Sequence, residues 1–280
     1  MPDTLPAPPW AARFRGIRQL EVRRVADVTP QMRRITLGGA EFDGIPEGVN
    51  VKLLLPPRPG VALELPLRTA EGRPLWPEGD RKPVVRTYTA RRIDRDAGEM
   101  DVDFVLHGDE GVASGWAARA RPGDVIGVGG PGGRTVLPAD WYLLAGDHTA
   151  LPAISRILET LPGNVRGEAL VEIPDRTEEQ PLVHPPGMTL RWLHRNGAEA
   201  GTTTLLVDAV RAMIWPAEGR PFVWVGAESA AARAIRAHVR DTVGIDKRSM
   251  LVIGYWKRGV TETEYAATSD HDREKHTNDR

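Results

Sequence analysis

Four consecutive residues, Arg86-Thr87-Tyr88-Thr89, carry the side chains best suited to hold a flat, phosphate-bearing heterocycle. They lie in a predicted strand over 84–90, in which side chains two positions apart project from the same face. An arginine can bind a pyrophosphate, a tyrosine ring can lie against a heterocycle, and a threonine hydroxyl can hydrogen-bond a ring nitrogen. The four residues therefore meet the needs of a bound flavin. An ordinary half-buried strand is the alternative, because sheets favour Tyr and Thr anyway.

A second segment places a glycine-containing turn ahead of a helix. It runs His107-Gly108-Asp109-Glu110-Gly111-Val112-Ala113-Ser114-Gly115-Trp116-Ala117, after one predicted strand and into a helix predicted over 112–120. Backbone N–H groups at a helix N-terminus can bind phosphate without a cationic side chain. With Arg86 on a neighbouring strand, the segment could hold a pyrophosphate from two sides. The alternative is a plain strand-to-helix turn with Trp116 in the core.

The third segment, Gly146-Asp147-His148-Thr149-Ala150-Leu151-Pro152-Ala153-Ile154, follows a strand predicted over 141–145. In an open parallel sheet a dinucleotide lies at this position, beyond the carboxyl end of a strand. The Gly-x-Gly-x-x-Gly spacing is missing, and Asp147 places negative charge where a pyrophosphate would approach. We therefore expect Asp147 and Thr149 to lie beside the cofactor without forming a standard dinucleotide site. Either residue could instead cap the helix that follows.

Two aromatic and two basic residues follow the last predicted strand, in Gly254-Tyr255-Trp256-Lys257-Arg258-Gly259. Their position at the carboxyl end of a strand, beside a second domain, predicts that they face an interdomain cleft. Flat rings and cations suit a bulky anionic ligand. A solvated basic pair behind a core tryptophan explains the segment equally well.

One glycine-rich segment, Gly127-Val128-Gly129-Gly130-Pro131-Gly132-Gly133-Arg134, resembles a nucleotide loop only in composition. No helix follows it, and no Lys-Ser/Thr completes a phosphate-binding loop. We expect a flexible hinge or a barrel-closing turn.

Composition narrows the class of protein. The chain has 280 residues, 37 Lys+Arg against 38 Asp+Glu, and no cysteine. Near-neutral charge gives no field for nucleic acid, and the absence of cysteine excludes disulfides, thiol nucleophiles and Cys-ligated iron–sulfur clusters. Redox chemistry would need a bound organic cofactor or haem, with electrons supplied from outside. The seven histidines show no metal-ligand spacing, and no apolar run has the length of a membrane span or signal peptide. We expect a cytoplasmic protein without a metal.

The hydrophobic pattern changes near residue 138. The first half predicts short strands over 19–24, 32–37, 51–55, 84–90, 100–106 and 125–128, typical of a small closed antiparallel barrel. The second half alternates strands with helices over 151–160, 204–213 and 230–241, which predicts a doubly wound α/β domain. The predicted organisation is an extension over 1–14, the barrel over 15–138, the α/β domain over 139–262 and a disordered tail over 263–280.

Taken in order, the four motifs at 86–89, 107–117, 146–153 and 254–259 resemble the siderophore-interacting protein family, flavin reductases of the ferredoxin–NADP reductase superfamily. The resemblance runs from about residue 15 to 259. It implies an FAD-binding barrel, a pyridine-nucleotide-type module, and cytoplasmic reduction of ferric siderophores to Fe(II). It also implies a flavin site and a basic siderophore pocket. The residues implied for FAD are Arg86, Thr87, Tyr88, Thr89, His107, Ala113, Ser114 and Trp116, and those for the siderophore are Lys52, Lys257 and Arg258.

Such a reductase needs no catalytic side chain beyond the flavin, since the cofactor performs the electron transfer. NADH, NADPH or ferredoxin could supply the electrons. Two other functions stay open at this point. One is an NAD(P)H:flavin or ferredoxin-type oxidoreductase that serves a protein partner, and the other is a siderophore carrier without turnover.

Overall fold

A computed structural model describes residues 16–43, 45, 48–108, 111–133, 136–261 and 263–265. The predicted N-terminal extension and the predicted tail from residue 266 onward lie outside the described residues. Residues up to 26 together with 33–133 form one compact unit, and residues 27–32 together with those from 134 onward form a second. No helix among the described residues is long and apolar enough to cross a membrane.

The first unit contains a seven-stranded antiparallel sheet, a small hairpin and one helix. The sheet strands are β1 (Ile17–Thr29), β2 (Met32–Gly38), β3 (Asn50–Leu55), β6 (Val84–Thr89), β7 (Arg92–Asp94), β8 (Glu99–Val105) and β9 (Val125–Gly132). Their order is β6-β3-β9-β1-β2-β8-β7. The hairpin pairs β4 (Leu67–Arg68) with β5 (Pro74–Leu75), and the helix is α1 (Val112–Arg119).

The sheet curls into a barrel because its two end strands follow each other in the chain. Only Ala90 and Arg91 separate β6 from β7. The Ala90 N–H donates to Val49 O at 2.8 Å, while the Arg91 N–H donates to Asp101 O at 2.8 Å. Adjacent residues therefore bond to opposite ends of the strand order. Among the described residues no ladder joins β6 to β7, so the barrel is not closed as the sequence had predicted, and only this short connection links its two edge strands.

Strand β8 shows how the sequence builds this core. Met100, Val102 and Phe104 point to one face and pack in the apolar interior, as the period of two in a strand requires. Asp101 and Asp103 point to the other face, where arginines bind them. The strand predicted over 100–106 is confirmed as β8.

The glycine-rich segment is not a hinge or turn, as the sequence had suggested, but the inner strand β9, paired with both β1 and β3. Its glycines serve close packing. A Cβ on Gly127 would lie 2.5 Å from Leu65 Cδ2 and 2.8 Å from Leu54 Cβ. Glycine is therefore required where another segment covers the strand.

The second unit is a five-stranded, wholly parallel sheet with helices between its strands. The strands are β10 (Trp141–Asp147), β11 (Arg166–Ile173), β12 (Gly187–His194), β13 (Pro221–Glu228) and β14 (Met250–Trp256). The helices are α2 (Leu151–Thr160), α3 (Leu205–Arg211) and α4 (Ser229–Ala237). The order β12-β11-β10-β13-β14 reverses direction between β10 and β13, the topological switch point of a doubly wound sheet.

The strands of this sheet extend further than the sequence pattern predicts. The apolar run 143–145 is wholly buried, as expected for a strand covered on both faces. Asp147, Glu228 and Trp256 are the last residues of β10, β13 and β14, so polar groups meet at the carboxyl edge. Beyond the sheet, residues 263–265 form a helical turn in which Tyr265 is buried.

Candidate functional site

The Arg86–Thr89 motif lies on β6 and divides between the two faces of that strand. β6 pairs antiparallel with β3, and the register places Arg86 opposite Leu53 and Thr87 opposite Lys52. Arg86 and Tyr88 therefore share one face, while Thr87 and Thr89 share the other. Arg86 is half-buried, and its Nη1 donates to Val85 O at 2.9 Å.

Tyr88 belongs to a chain of three aromatic rings. Its ring centroid lies 4.4 Å from that of Phe104, which lies 5.7 Å from that of Trp116. Phe104 is fully buried, whereas Tyr88 and Trp116 are half-buried. The chain thus supplies two partly accessible rings fixed on a rigid core residue, as a flat ligand requires. Phe104 was not predicted as a site residue; its apolar position in β8 marked it only as core.

The start of α1 leaves backbone donors available for an anion. Gly111 is the N-cap, and the Gly115 N–H makes the first bond of the helix, to Gly111 O at 2.8 Å. The N–H groups of Val112, Ala113 and Ser114 precede that bond and have no acceptor within the helix. Gly111, the N-cap residue, has no side chain with which to satisfy these donors. These donors suit a phosphate group.

Two side chains predicted to contact FAD instead shape this helix start. Ser114 Oγ donates to Gly108 O at 2.9 Å and accepts from the His107 N–H at 3.0 Å, and the side chain is buried. The His107 ring packs against Gly111, where a Cβ would lie 2.7 Å from His107 Cε1. Residues 109 and 110 of the motif lie outside the described residues. Ser114 therefore offers a ligand its backbone N–H more readily than its hydroxyl.

Lys52 lies directly opposite Thr87, and its Nζ donates to Thr87 Oγ1. The sequence predicted these residues for different ligands, Lys52 for the siderophore and Thr87 for FAD. The register instead pairs their side chains on one face, away from Arg86 and Tyr88. Pairing between β3 and β6 is a long-range feature that no local pattern contains.

Asp147 connects the carboxyl ends of three strands in the second unit. Its Oδ1 accepts from the Thr149 N–H (2.9 Å) and Thr149 Oγ1 (2.6 Å), and its Oδ2 accepts from the Glu228 N–H (2.8 Å) and Trp256 Nε1 (2.8 Å). Burial raises the pKa of Asp147, against four hydrogen bonds that lower it. Asp147 therefore caps the short 3-10 turn 148–150. The predicted cap of the helix is wrong, because the N-cap of α2 is Ala150 and makes no side-chain hydrogen bond.

A second buried carboxyl group, that of Glu172, lies beside Asp147 on the neighbouring strand. Glu172 on β11 is the cross-strand neighbour of Asp147 and accepts from Thr203 Oγ1 at 2.9 Å. Burial raises the pKa of Glu172. Arg195 Nη1 lies 3.9 Å from Glu172 Oε1. Among the described residues no group of three or more His, Asp or Glu side chains could hold a metal ion, so hydrogen bonding explains these acids.

His148 is buried next to Asp147, and its Nε2 lies 3.1 Å from Glu178 Oε2. Burial and the charge of Arg195 lower the pKa of His148 to about 4. Glu178 also accepts from Thr29 Oγ1 (2.5 Å) and the Gln31 N–H (2.8 Å), both within the second unit. Burial therefore favours the neutral form of the His148 imidazole.

The predicted basic pair occupies a tight turn after β14. Lys257 bridges to Val260, whose N–H donates to Lys257 O at 3.2 Å, and Gly259 adopts a φ of 74°. The side chains of Lys257 and Arg258 are exposed and make no ion pair with any described residue. Tyr255 packs edge-on against Trp224, with centroids 6.1 Å apart. The turn thus presents two unpaired cations.

Sequence reasoning missed the role of Glu228, which accepts from the Arg258 N–H at 3.2 Å and the Ala230 N–H at 2.5 Å. A usable signal existed. Glu228 ends an apolar strand and precedes an Ala-rich helix, as Asp147 ends β10 ahead of α2. An acid at this position in two strands of one sheet predicts that both meet at the carboxyl edge.

Two protein-family models together cover most of the chain. The model described as "Siderophore-interacting FAD-binding domain" matches residues 21–135, and the model described as "Siderophore-interacting protein" matches residues 139–259. The first contains the Arg86–Thr89 motif and the α1 start, and the second contains the carboxyl edge and the basic turn.

Curated relatives and solved structures agree with these matches. The chain is 35% identical over 254 residues to the ferric vibriobactin reductase ViuB of Vibrio cholerae, covering 89% of this chain and 92% of the relative. It is 33% identical over 247 residues to the NADPH-dependent ferric-chelate reductase of Escherichia coli, covering 85% and 92%. The crystal structure of a siderophore utilization protein from T. fusca matches with a TM-score of 0.81 at 39% identity, covering 92% of this chain and 96% of that one.

Proposed function

Because the chain belongs to the siderophore-interacting protein family, as its sequence motifs had indicated, we propose that it is an FAD-dependent oxidoreductase that reduces ferric siderophores. The predicted fold, an antiparallel barrel followed by a doubly wound α/β domain, is confirmed with the family. The observation that carries the proposal is that the FAD-binding domain contains both a fixed aromatic chain and a helix start whose first three N–H groups have no acceptor within the helix.

The residues of the first unit fit FAD. The N–H groups of Val112, Ala113 and Ser114 suit its pyrophosphate, and the half-buried guanidinium of Arg86 adds a positive charge. Tyr88 and Trp116 offer rings for flat groups. In our proposal Thr89, Ala113 and Ser114 contribute mainly through their position and backbone, and His107 shapes the loop through its packing on Gly111.

Electron transfer explains how iron is released. Oxygen donors hold Fe(III) far more tightly than Fe(II), so one-electron reduction weakens the complex. Bound FAD would supply that chemistry, since a flavin accepts two electrons and can pass them on singly. The chain's own residues bind and orient, and no proton transfer by a side chain is required. The lack of a nucleophile in the sequence is consistent with this division.

NADPH is the donor that we propose, because the similar Escherichia coli protein is named as NADPH-dependent. The buried acids at the carboxyl edge argue against a standard pyrophosphate site over Asp147, as the missing glycine spacing predicted. Ferredoxin, the other predicted donor, gains no support from the relatives described above. Asp147 and Thr149 are thus proposed as supports of the donor region and not as direct ligands.

The substrate cations that we propose are Lys52 on β3 and the Lys257–Arg258 pair. All three side chains are exposed, and the pair on the turn is unpaired among the described residues. Cations of this kind suit an anionic ferric catecholate. Release of Fe(II) in the cytoplasm belongs to the same proposal.

An anaerobic assay tests the function. The FAD-loaded protein is mixed with NADPH and a ferric siderophore, and Fe(II) is followed with a dye specific for that ion. We expect Fe(II) to form in many equivalents over protein, with NADPH consumed in step. A protein that takes up no FAD, or one that binds the siderophore without forming Fe(II), would overturn the proposal, the second result favouring a carrier.

A matched pair of variants assigns the flavin site. Arg86→Met removes the cation next to the aromatic chain, and we expect FAD affinity to fall by roughly tenfold, as for loss of a charge-assisted hydrogen bond. Arg211→Met, at an exposed position on α3, should leave FAD affinity unchanged. Equal affinities for both variants would remove Arg86 from the site.

A further inference from the structure

We propose that Asp147 and Glu228 position the basic turn 257–260 for an anionic ferric siderophore, without touching the ligand themselves. The proposal rests on the proposed function, because it assumes that Lys257 and Arg258 contact the substrate. It assigns both acids as positioning residues that set substrate affinity.

The first step is the connection between Asp147 and Trp256. Asp147 Oδ2 accepts from Trp256 Nε1 at 2.8 Å, at the last residue before the turn. The same oxygen accepts from the Glu228 N–H at 2.8 Å. Because Asp147 is also fixed by Thr149, the end of β14 is tied to the end of β10 as well as to its ladder neighbour β13.

The second step is the connection between Glu228 and the turn itself. Glu228 Oε1 accepts from the Arg258 N–H at 3.2 Å, while its Oε2 accepts from the Ala230 N–H at 2.5 Å. The second bond anchors the carboxylate at the start of α4. The anchored carboxylate therefore fixes the backbone between the two basic side chains.

Packing around Trp256 restricts the orientations that its indole ring can adopt. Gly201, at a φ of 73°, lies so close that a Cβ there would be 2.9 Å from Trp256 Cη2 and 3.1 Å from Glu228 Cγ. The indole and the Glu228 side chain are thus covered by the 197–204 loop. A rotated Trp256 would have to displace this loop, and the bond to Asp147 selects the observed orientation.

The physical consequence is a lower entropic cost of binding. Long basic side chains lose rotamer freedom when they hold a ligand, and a mobile backbone adds further loss. Among the residues that the structure describes, Lys257 and Arg258 are held through their backbone, by Glu228 and by the Lys257–Val260 bridge. Their side chains remain available, while the turn that carries them is ordered in advance. Loss of this order should weaken anionic ligands selectively.

The test uses equilibrium dialysis of two iron(III) complexes with the FAD-loaded protein, one a tris-catecholate carrying negative charge and one an uncharged tris-hydroxamate. We expect Glu228→Gln and Trp256→Phe each to raise the Kd for the tris-catecholate by about five- to tenfold, the effect of one lost hydrogen bond to a carboxylate. The Kd for the tris-hydroxamate should change less than twofold, and FAD affinity should not change. Glu218→Gln, at an exposed position, is the matched control and should change neither Kd.

A second background separates positioning from general destabilisation. In the double variant Lys257→Met/Arg258→Met the Kd for the tris-catecholate should already be raised, and adding Glu228→Gln should raise it less than twofold further. Full additivity of the two changes would contradict the proposal, because it would show that Glu228 acts independently of the cations. A double variant with wild-type Kd would also overturn it, whether or not the protein reduces iron. Failure of reduction with the expected Kd pattern would instead count against the proposed function alone.

Discussion

Acidic residues occur in two regions of this molecule, with different partners in each. On β8 of the first unit the carboxylates of Glu99, Asp101 and Asp103 lie on one sheet face, each beside an arginine. At the carboxyl edge of the second unit Asp147, Glu172 and Glu228 are buried or nearly so and are held mainly by neutral donors. The acids of β8 alternate with apolar residues, and the acids of the carboxyl edge follow apolar runs near the ends of their strands. Acids of both sets therefore lie next to apolar strand residues, and the sequence alone does not distinguish the two sets.

The β8 acids form ion pairs with defined geometry. Arg34 binds Asp103 through two bonds of 2.7 and 2.8 Å, and Arg24 binds Glu99 through two of 2.9 and 2.6 Å. Asp101 accepts from Arg92 Nε at 3.0 Å. The Arg24 guanidinium holds the pKa of Glu99 below its ordinary value. The pairs of Arg34 and Arg92 join β8 to its neighbours β2 and β7, and the Arg24–Glu99 pair reaches from β1 across β2 to β8.

The edge acids instead accept from backbone N–H groups, threonines and an indole. Burial raises the pKa of both Asp147 and Glu172; for Glu172 this outweighs the opposing effect of Arg195, 3.9 Å away. Neutral donors fix the strand ends, and Lys257 and Arg258 make no ion pair with any described residue. An acid beside a functional turn can therefore hold the backbone of that turn while the basic side chains of the turn stay available to a ligand.

Removing Asp147 should have the largest effect on stability. Asp147→Ala leaves one buried and three part-buried donors without an acceptor, and we expect the free energy of unfolding to fall by about 3–5 kcal/mol. Asp103→Ala should cost less, about 2 kcal/mol, because the freed Arg34 can turn to water. Urea unfolding with saturating FAD measures both. Asp96→Ala, at an exposed position, is the control, and a ranking with Asp103 first would break the comparison.

His148, next to Asp147 at the carboxyl edge, should make the stability of the protein depend on pH. With a folded pKa of about 4 against an ordinary 6.5, the unfolded chain takes up the proton first as pH falls. Stability is therefore fully present above pH 6.5 and lost toward pH 4, by roughly 3 kcal/mol at 1.36 kcal/mol per pKa unit. His148→Gln should lose less over this range. Parallel curves for the variant and the wild type would mean that His148 is protonated in the folded state.

Salt should reduce the stability cost of removing an acid on β8 by about 1 kcal/mol and leave the cost at the carboxyl edge unchanged. Raising the ionic strength from about 0.05 M to about 0.5 M screens the partly exposed Arg34–Asp103 pair, so the cost of Asp103→Asn should shrink. The cost of Asp147→Asn should stay constant, because Asp147 is buried and its hydrogen-bond donors are uncharged. The comparison fails if both costs respond equally to salt.

The smallest effect is an opposite pH trend for two glutamates. The lowered pKa of Glu99 gives stability that is present above pH 4.5 and lost as pH falls through its folded pKa, so Glu99→Gln should cost more at neutral than at acidic pH. The raised pKa of Glu172 gives the reverse, so Glu172→Gln should cost less as pH rises. Thermal unfolding at several pH values would show both. If the costs of Glu99→Gln and Glu172→Gln changed in the same direction with pH, the partners assigned to these two glutamates would be wrong.

Local patterns in the sequence were enough for most elements. The predicted helix over 151–160 is α2 with the same bounds, and the Arg86–Thr89 motif lies on a strand as predicted. β7 was missed because three residues give no periodic signal, and β9 was misread because its glycines resemble a turn. In β9 the glycines are dictated by what packs on them, which only the tertiary structure shows.

The site was predictable in its residue types but not in its partnerships. The pairing of Lys52 with Thr87 depends on strand register, and the connection of Asp147 to Trp256 spans 109 residues. Such contacts arise when distant strands align, so no window of sequence contains them. Glu228 was recoverable from its position at a strand end, once the parallel order of the sheet was assumed.

The proposed activity is the transfer of electrons from reduced FAD in this protein to a ferric siderophore. The most direct measurement is anaerobic stopped-flow mixing of photoreduced, FAD-loaded protein with an anionic ferric siderophore, with flavin absorbance recorded. We predict full reoxidation of the flavin at a rate that rises with siderophore concentration, and slower reoxidation at low concentration for Lys257→Met/Arg258→Met. A flavin that stays reduced while the siderophore is bound would contradict the claim.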